Sequence, residues 1–158
     1  MARYVIPLII IVALLVYFYF PGGDDTSEIE AVFNSIIESA GEKNLEGVTE
    51  HFSLHYKDGH GVTYPVLKNL TQNAFEKYDG FQASYSGLSA TIGENENGEK
   101  EAAANLDIIV KGIKSGKKQN LIGSDVSPEN ITVMLKKSSF RGWKIIEVEG
   151  IEKSDYSQ

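Results

Sequence analysis

Polar and apolar positions divide the chain into three regimes. Tyr4 to Phe20, YVIPLIIIVALLVYFYF, is a run of seventeen residues without a charge. After it, Ile29, Val32, Phe33, Ile36, Ile37 and Ala40 recur at the three- and four-residue spacing of one helix face. Ser27 followed by Glu30 has capping-box spacing, and Gly41 is placed to stop that helix. Leu45, Val48 and Phe52 predict a second, short helix from about Leu45 to His51. A third is predicted from Tyr64 or Pro65 to about Tyr78, with proline in its first turn.

After Asp79-Gly80 the period changes to two. Phe81, Ala83 and Tyr85 alternate on one face of FQASYSGLSATI, and Leu88, Ala90 and Ile92 follow in the opposite phase. A slip of phase beside Gly87 predicts a β-bulge that bends a long strand. Asn97-Gly98, within Glu94 to Glu101, predicts a hairpin turn into AAANLDIIVKGI, where Leu106, Ile108 and Val110 share a face. Residues 114–129 are polar and glycine-containing and are expected to be a long connection. ITVML and WKIIEVEG then form a last hairpin about SSFRG. The expected architecture is α+β, three helices packed on a curved four-stranded antiparallel sheet.

The first regime is expected to be a membrane anchor. At about 1.5 Å per residue its seventeen residues reach roughly 25 Å, the short end of a transmembrane helix. A cleaved signal peptide would end in small residues, whereas this run ends in Tyr17, Phe18, Tyr19 and Phe20, side chains suited to a membrane interface. Arg3 and the α-amino group precede it, and Asp24, Asp25, Glu28 and Glu30 follow. Positive-inside logic therefore puts the N-terminus in the cytoplasm and the domain on the periplasmic or extracellular side. The resulting division is anchor 1–20, linker 21–27, folded domain 28–150 and polar tail 151–158.

Composition narrows the chemistry. The chain carries a net charge of -7. Without the run through Phe20 there remain 14 basic and 22 acidic side chains, a net of -8, a poor surface for nucleic acid. With no cysteine there are no disulfides, thiolate metal sites or cysteine nucleophile.

Three stretches carry a resemblance: the helix pair in EAVFNSIIESAGEKNLEGVTEHFS, the bulged strand FQASYSGLSATI and the closing GWKIIEVEG. From Ser27 to Gly150 the chain resembles the nuclear-transport-factor-2-like superfamily, which includes ketosteroid isomerase-like and polyketide cyclase-like domains. The resemblance implies a cone-shaped, cystatin-like α+β fold whose bent sheet wraps around the first helix and leaves a pocket. It implies no single activity, because that superfamily holds both enzymes and binding modules.

Candidate site residues each have two readings. Ketosteroid isomerase-like members use a carboxylate base, which the resemblance would place at Asp58 or Asp107. Read from the residues alone, Asp58-Gly59 makes a turn and Asp107, between Leu106 and Ile108, faces solvent. His51, His55 and His60 are the metal candidates, but zinc needs three or four converging ligands and His55 falls past the helix end. Tyr56, Tyr64, Tyr78 and Tyr85 would either line a pocket for an apolar ligand or pack at the open end of the sheet. Lys111, Lys114, Lys117 and Lys118 form a basic patch suited to anionic lipid. No cofactor is expected. The expected role is a membrane-anchored, non-catalytic domain that binds a membrane-associated protein, a second copy or a small apolar ligand. The alternative is an isomerase- or cyclase-like enzyme acting by proton transfer.

Overall fold

A computed structural model describes residues 24–151, so the anchor expected at 1–20 and all but the first residue of the polar tail lie outside the described residues. Among the described residues no helix is long and apolar enough to cross a membrane.

Helix α1 spans Asp25–Gly41, α2 Leu45–Thr49 and α3 Tyr64–Lys77. Helix α1 begins two residues before Ser27, and Asp24 at its N-cap makes no side-chain capping bond. The predicted Ser27 cap is therefore corrected, and residues 25–27 are helix, not linker. Two carboxylates in the first turn, Asp25 and Glu28, suit the positive end of the helix dipole. Helix α2 stops at Thr49, short of His51; the Asn44 side chain caps it by accepting from the Gly47 amide at 3.0 Å.

The strands are β1 Gly80–Glu94, β2 Lys100–Lys114, β3 Lys117–Ile122, β4 Glu129–Ser138 and β5 Gly142–Glu149. All pairings among them are antiparallel, in the order β1-β2-β4-β5, with β3 also paired to β2. Five strands replace the expected four. Strand β4 pairs with β2 from Glu101 to Ile108, and β3 pairs with it from Val110 to Lys114. The two occupy successive lengths of the same edge. Ser115 and Gly116, both at positive φ (49° and 74°), make the tight turn that folds β3 back. With Lys117, Lys118, Gln119 and Asn120 exposed, β3 has no apolar alternation to betray it.

The predicted bulge in β1 is present. Its register with β2 shifts between Ser86 and Ser89, where Gly87 takes φ +65°. The slip lets Tyr85 and Leu88 both pack toward the core.

That core lies between α1 and the near half of the sheet. Ile29, Val32 and Phe33 of α1 meet Leu106 of β2, Val133 and Leu135 of β4, and Ile145 of β5. Ala102 and Ala104 are paired with Leu135 and Val133 across the ladder, so small side chains alternate with large ones beneath the helix. The opposite face of the sheet is polar. There Thr132 donates to Asn105 at 2.7 Å, and Asn130 donates to Asp107 at 2.8 Å.

Candidate functional site

The sequence candidates do not converge. Asp58 is buried in the loop between α2 and α3, where its Oδ1 accepts from the amides of His60 and Val62, both at 2.9 Å. It closes the turn that its Asp-Gly sequence predicted. Asp107 lies on the polar face of the sheet, bonded to Asn130. Neither carboxylate lines any of the four principal clefts.

The histidines have separate duties. His51 Nε2 bonds Ser35 Oγ of α1 at 2.9 Å, and His60 Nε2 bonds the Ile151 carbonyl at 2.9 Å. The backbone amide of His55 donates to Ser53 Oγ. Burial holds the His51 imidazole below its usual pKa; Glu50 opposes that shift and Lys144 adds to it. Among the described residues no group of three or more acidic or histidine side chains is arranged to hold a metal.

The tyrosines are likewise dispersed. Tyr56 is buried, edge-on to Phe52 with ring centroids 5.3 Å apart. Tyr78 is buried at the other end of the sheet over Gly112, and its hydroxyl has no hydrogen-bond partner among the described residues. Tyr85 donates to Asn34 at 2.9 Å, and burial raises its hydroxyl pKa, with Glu30 adding to the rise. Only Tyr64, of the four, lines one of those clefts. On the concave side of the sheet, Ile29, Val32 and Phe33 of α1 belong to the core.

What does converge lies at the end of the molecule where α1 begins. Asp25 accepts from Lys100 of β2 at 2.6 Å and from Lys137 of β4 at 2.7 Å, and Lys137 also reaches Glu28 at 2.7 Å. Lys100 and Lys137 hold the Asp25 carboxyl below its ordinary pKa, and Asp25 and Glu28 raise that of Lys137. The Lys137 ammonium also lies 5.7 Å above the ring of buried Trp143. This cluster clamps the first turn of α1 to the edge of the sheet. Sequence reading missed it because Asp25 was assigned to the linker; two carboxylates opening an amphipathic helix were the available signal.

Beside the clamp, the β4–β5 hairpin projects Ser138–Gly142 into solvent. Phe140 at its tip is 99% exposed. A cleft of about 560 Å³ on one side is lined by Lys100, Lys136, Lys137, Lys144 and Phe140. Three of these lysines face carboxylates: Lys100 on Asp25, Lys136 on Glu99, and Lys137 on both Asp25 and Glu28. Lys144 instead donates to the Glu50 carbonyl. A second cleft, about 450 Å³, lies between the hairpin and the loop after α2, with Leu54, His55, Arg141 and Lys144 in its walls. All of these hollows are open to water; none is a closed chamber for a small substrate.

No family model matches the chain, and no curated protein matches its sequence. Its fold does have solved counterparts. A nuclear transport factor 2 (NTF2-like) superfamily protein from Salmonella enterica superposes with a TM-score of 0.60 at 15% identity, covering 82% of this chain and 93% of that one. An NTF2-like protein with a cystatin-like fold from Novosphingobium aromaticivorans gives 0.58 at 15% identity, covering 93% and 88%. Bd1075 of Bdellovibrio bacteriovorus gives 0.60 at 12% identity over 78% of this chain, which spans only 40% of that protein. The chain shares the NTF2-like, cystatin-like α+β fold; identities this low establish architecture and leave activity open.

Proposed function

We propose that the chain is a membrane-anchored NTF2-like domain that works by surface interaction, without catalysis, on the outer side of a cytoplasmic membrane. The observation that carries the reading is the separation of the candidate bases from the principal clefts, none of which Asp58 or Asp107 lines. Those clefts are open to water, where an enzyme acting on an apolar molecule would enclose it. The two candidate bases support this, since Asp58 is engaged by backbone amides and Asp107 sits on the face away from the core. The openness of those clefts also favours a macromolecular partner over a small apolar ligand. The anchor rests on the uncharged run Tyr4 to Phe20 and on the acidic flank that follows it.

One experiment tests address and orientation together. The full chain has no cysteine, so Val126→Cys, at a 95% exposed position, introduces a single reporter thiol. In intact bacterial cells expressing that variant, a membrane-impermeant maleimide is expected to label it, and alkaline carbonate is expected to leave it in the membrane pellet. Release by carbonate would remove the anchor. Labelling only after lysis would reverse the orientation.

A further inference from the structure

We infer that the Ser138–Gly142 hairpin tip, together with Leu54, is a second contact with the phospholipid surface, seating the domain against the bilayer in which it is anchored. This rests on the anchor reading above and adds to it an orientation.

Phe20 ends the apolar run and α1 opens at Asp25. Five residue steps of at most about 3.5 Å reach roughly 17 Å, so Asp25 cannot stand further than that from the membrane interface. Asp25 is bonded to Lys137, and the hairpin tip starts at the next residue. Phe140 lies three steps on, at most about 10 Å from Lys137. One surface hollow is lined both by Glu28 in the first turn of α1 and by Phe140 and Arg141 at the tip. The tip and the point where the linker enters are neighbours on one end of the molecule.

Phe140 is 99% exposed and Leu54, across the adjoining cleft from Arg141, is 68% exposed. Leaving both in water forgoes the gain from burying apolar surface, and the described residues offer them no cover. Between them stand Arg141, which has no hydrogen-bond or ion-pair partner among the described residues, and Lys144, whose ammonium meets a backbone carbonyl and no carboxylate. Glu50 is the carboxylate in that cleft wall. Apolar side chains flanked by uncompensated cations match a phospholipid surface: the ring and the leucine enter the headgroup boundary, and the cations meet phosphate. A protein partner would satisfy the same side chains, but nothing fixes such a partner within reach of Asp25, whereas a four-residue tether fixes the bilayer there.

The test uses the full chain in vesicles of equal parts phosphatidylcholine and phosphatidylglycerol. Ser139→Cys carries an environment-sensitive fluorophore beside an intact Phe140, and Val126→Cys carries the same fluorophore as the reference. Nitroxide-bearing lipids are expected to quench the label at 139 strongly and the label at 126 little. Adding Phe140→Ser and Leu54→Ser to the first variant is expected to remove most of that quenching while the chain still floats with the vesicles; both positions are exposed, so folding is not at stake. Equal quenching at the two positions, or quenching at 139 indifferent to the double substitution, overturns the contact and leaves the anchor standing. Failure of the chain to float with vesicles overturns both.

Discussion

At the end of the sheet nearest Asp25, β1, β2, β4 and β5 lie side by side under α1, and Ala102, Ala104, Leu135, Trp143 and Ile145 are buried between them. At the other end only β1, β2 and β3 continue, and what they bury is chiefly Tyr78, which lies over Gly112. Strand β2 joins the two ends with fifteen residues, roughly 45 Å at 3.3 Å each. The thick end carries the apolar core, the salt-bridge clamp and the exposed hairpin; the thin end is an extension held by backbone pairing and the packed rings of Phe75, Tyr78 and Phe81. Both ends are basic in places, but Lys111 at the thin end is tied to Asp125 at 2.6 Å, while Arg141 at the thick end is unpaired among the described residues. The basic patch that the sequence offered to lipid, Lys111 to Lys118, thus sits at the end away from the linker. Proximity to Asp25 separates the two ends more sharply than lysine count.

If the thick end holds the fold, Leu135→Ala should cost the most. Leu135 is fully buried, and the cavity left by its truncation is expected to lower stability by about 2–5 kcal/mol, read as a shift of the urea midpoint. A loss no larger than that of a surface substitution would mean that the core lies elsewhere.

At the thin end the sensitive position is Gly112. A Cβ there would come 2.6 Å from the Tyr78 ring, so Gly112→Ala must push the ring aside, at about 1–3 kcal/mol. Amide exchange should quicken in β3 and in the second half of β2 and stay slow in β4. Uniform acceleration would show that the two ends unfold as one unit.

The smallest effect is expected at the clamp. Asp25→Asn removes partly exposed ion pairs worth up to about 1 kcal/mol at low salt. The Asp25 carboxyl is held below its ordinary value of 3.8, so its contribution is complete above that value and disappears as pH falls through the folded-state value. The stability gap between the parent chain and Asp25→Asn should therefore be widest near neutrality and close in acid. A gap that persists in acid would assign the effect to packing.

Much of the thick end was legible in the sequence. The three helices followed from the spacing of Ile29 to Ala40, from Leu45, Val48 and Phe52, and from a proline-started third segment; the bulge followed from the slip of phase at Gly87. Local pattern sufficed because each of these elements buries one apolar face. Strand β3 was not legible because its first four side chains are polar and exposed, and its pairing comes from a two-residue turn and the free edge of β2. The clamp was hidden for a related reason: Asp25, Lys100 and Lys137 are far apart in sequence and each alone reads as solvated charge. The candidate carboxylates came from the resemblance, the histidines from their spacing and the tyrosines from residue type, and none of these reveals that they fall in different places.

Strand β3 offers, among the described residues, a free row of backbone donors and acceptors on its outer side, the kind of border that recruits strands from other molecules. Lys117 and Lys118 stand along that border, exposed. Two adjacent ammonium groups make the meeting of two such borders repulsive, so copies of the chain can pass one another without knitting into a common sheet.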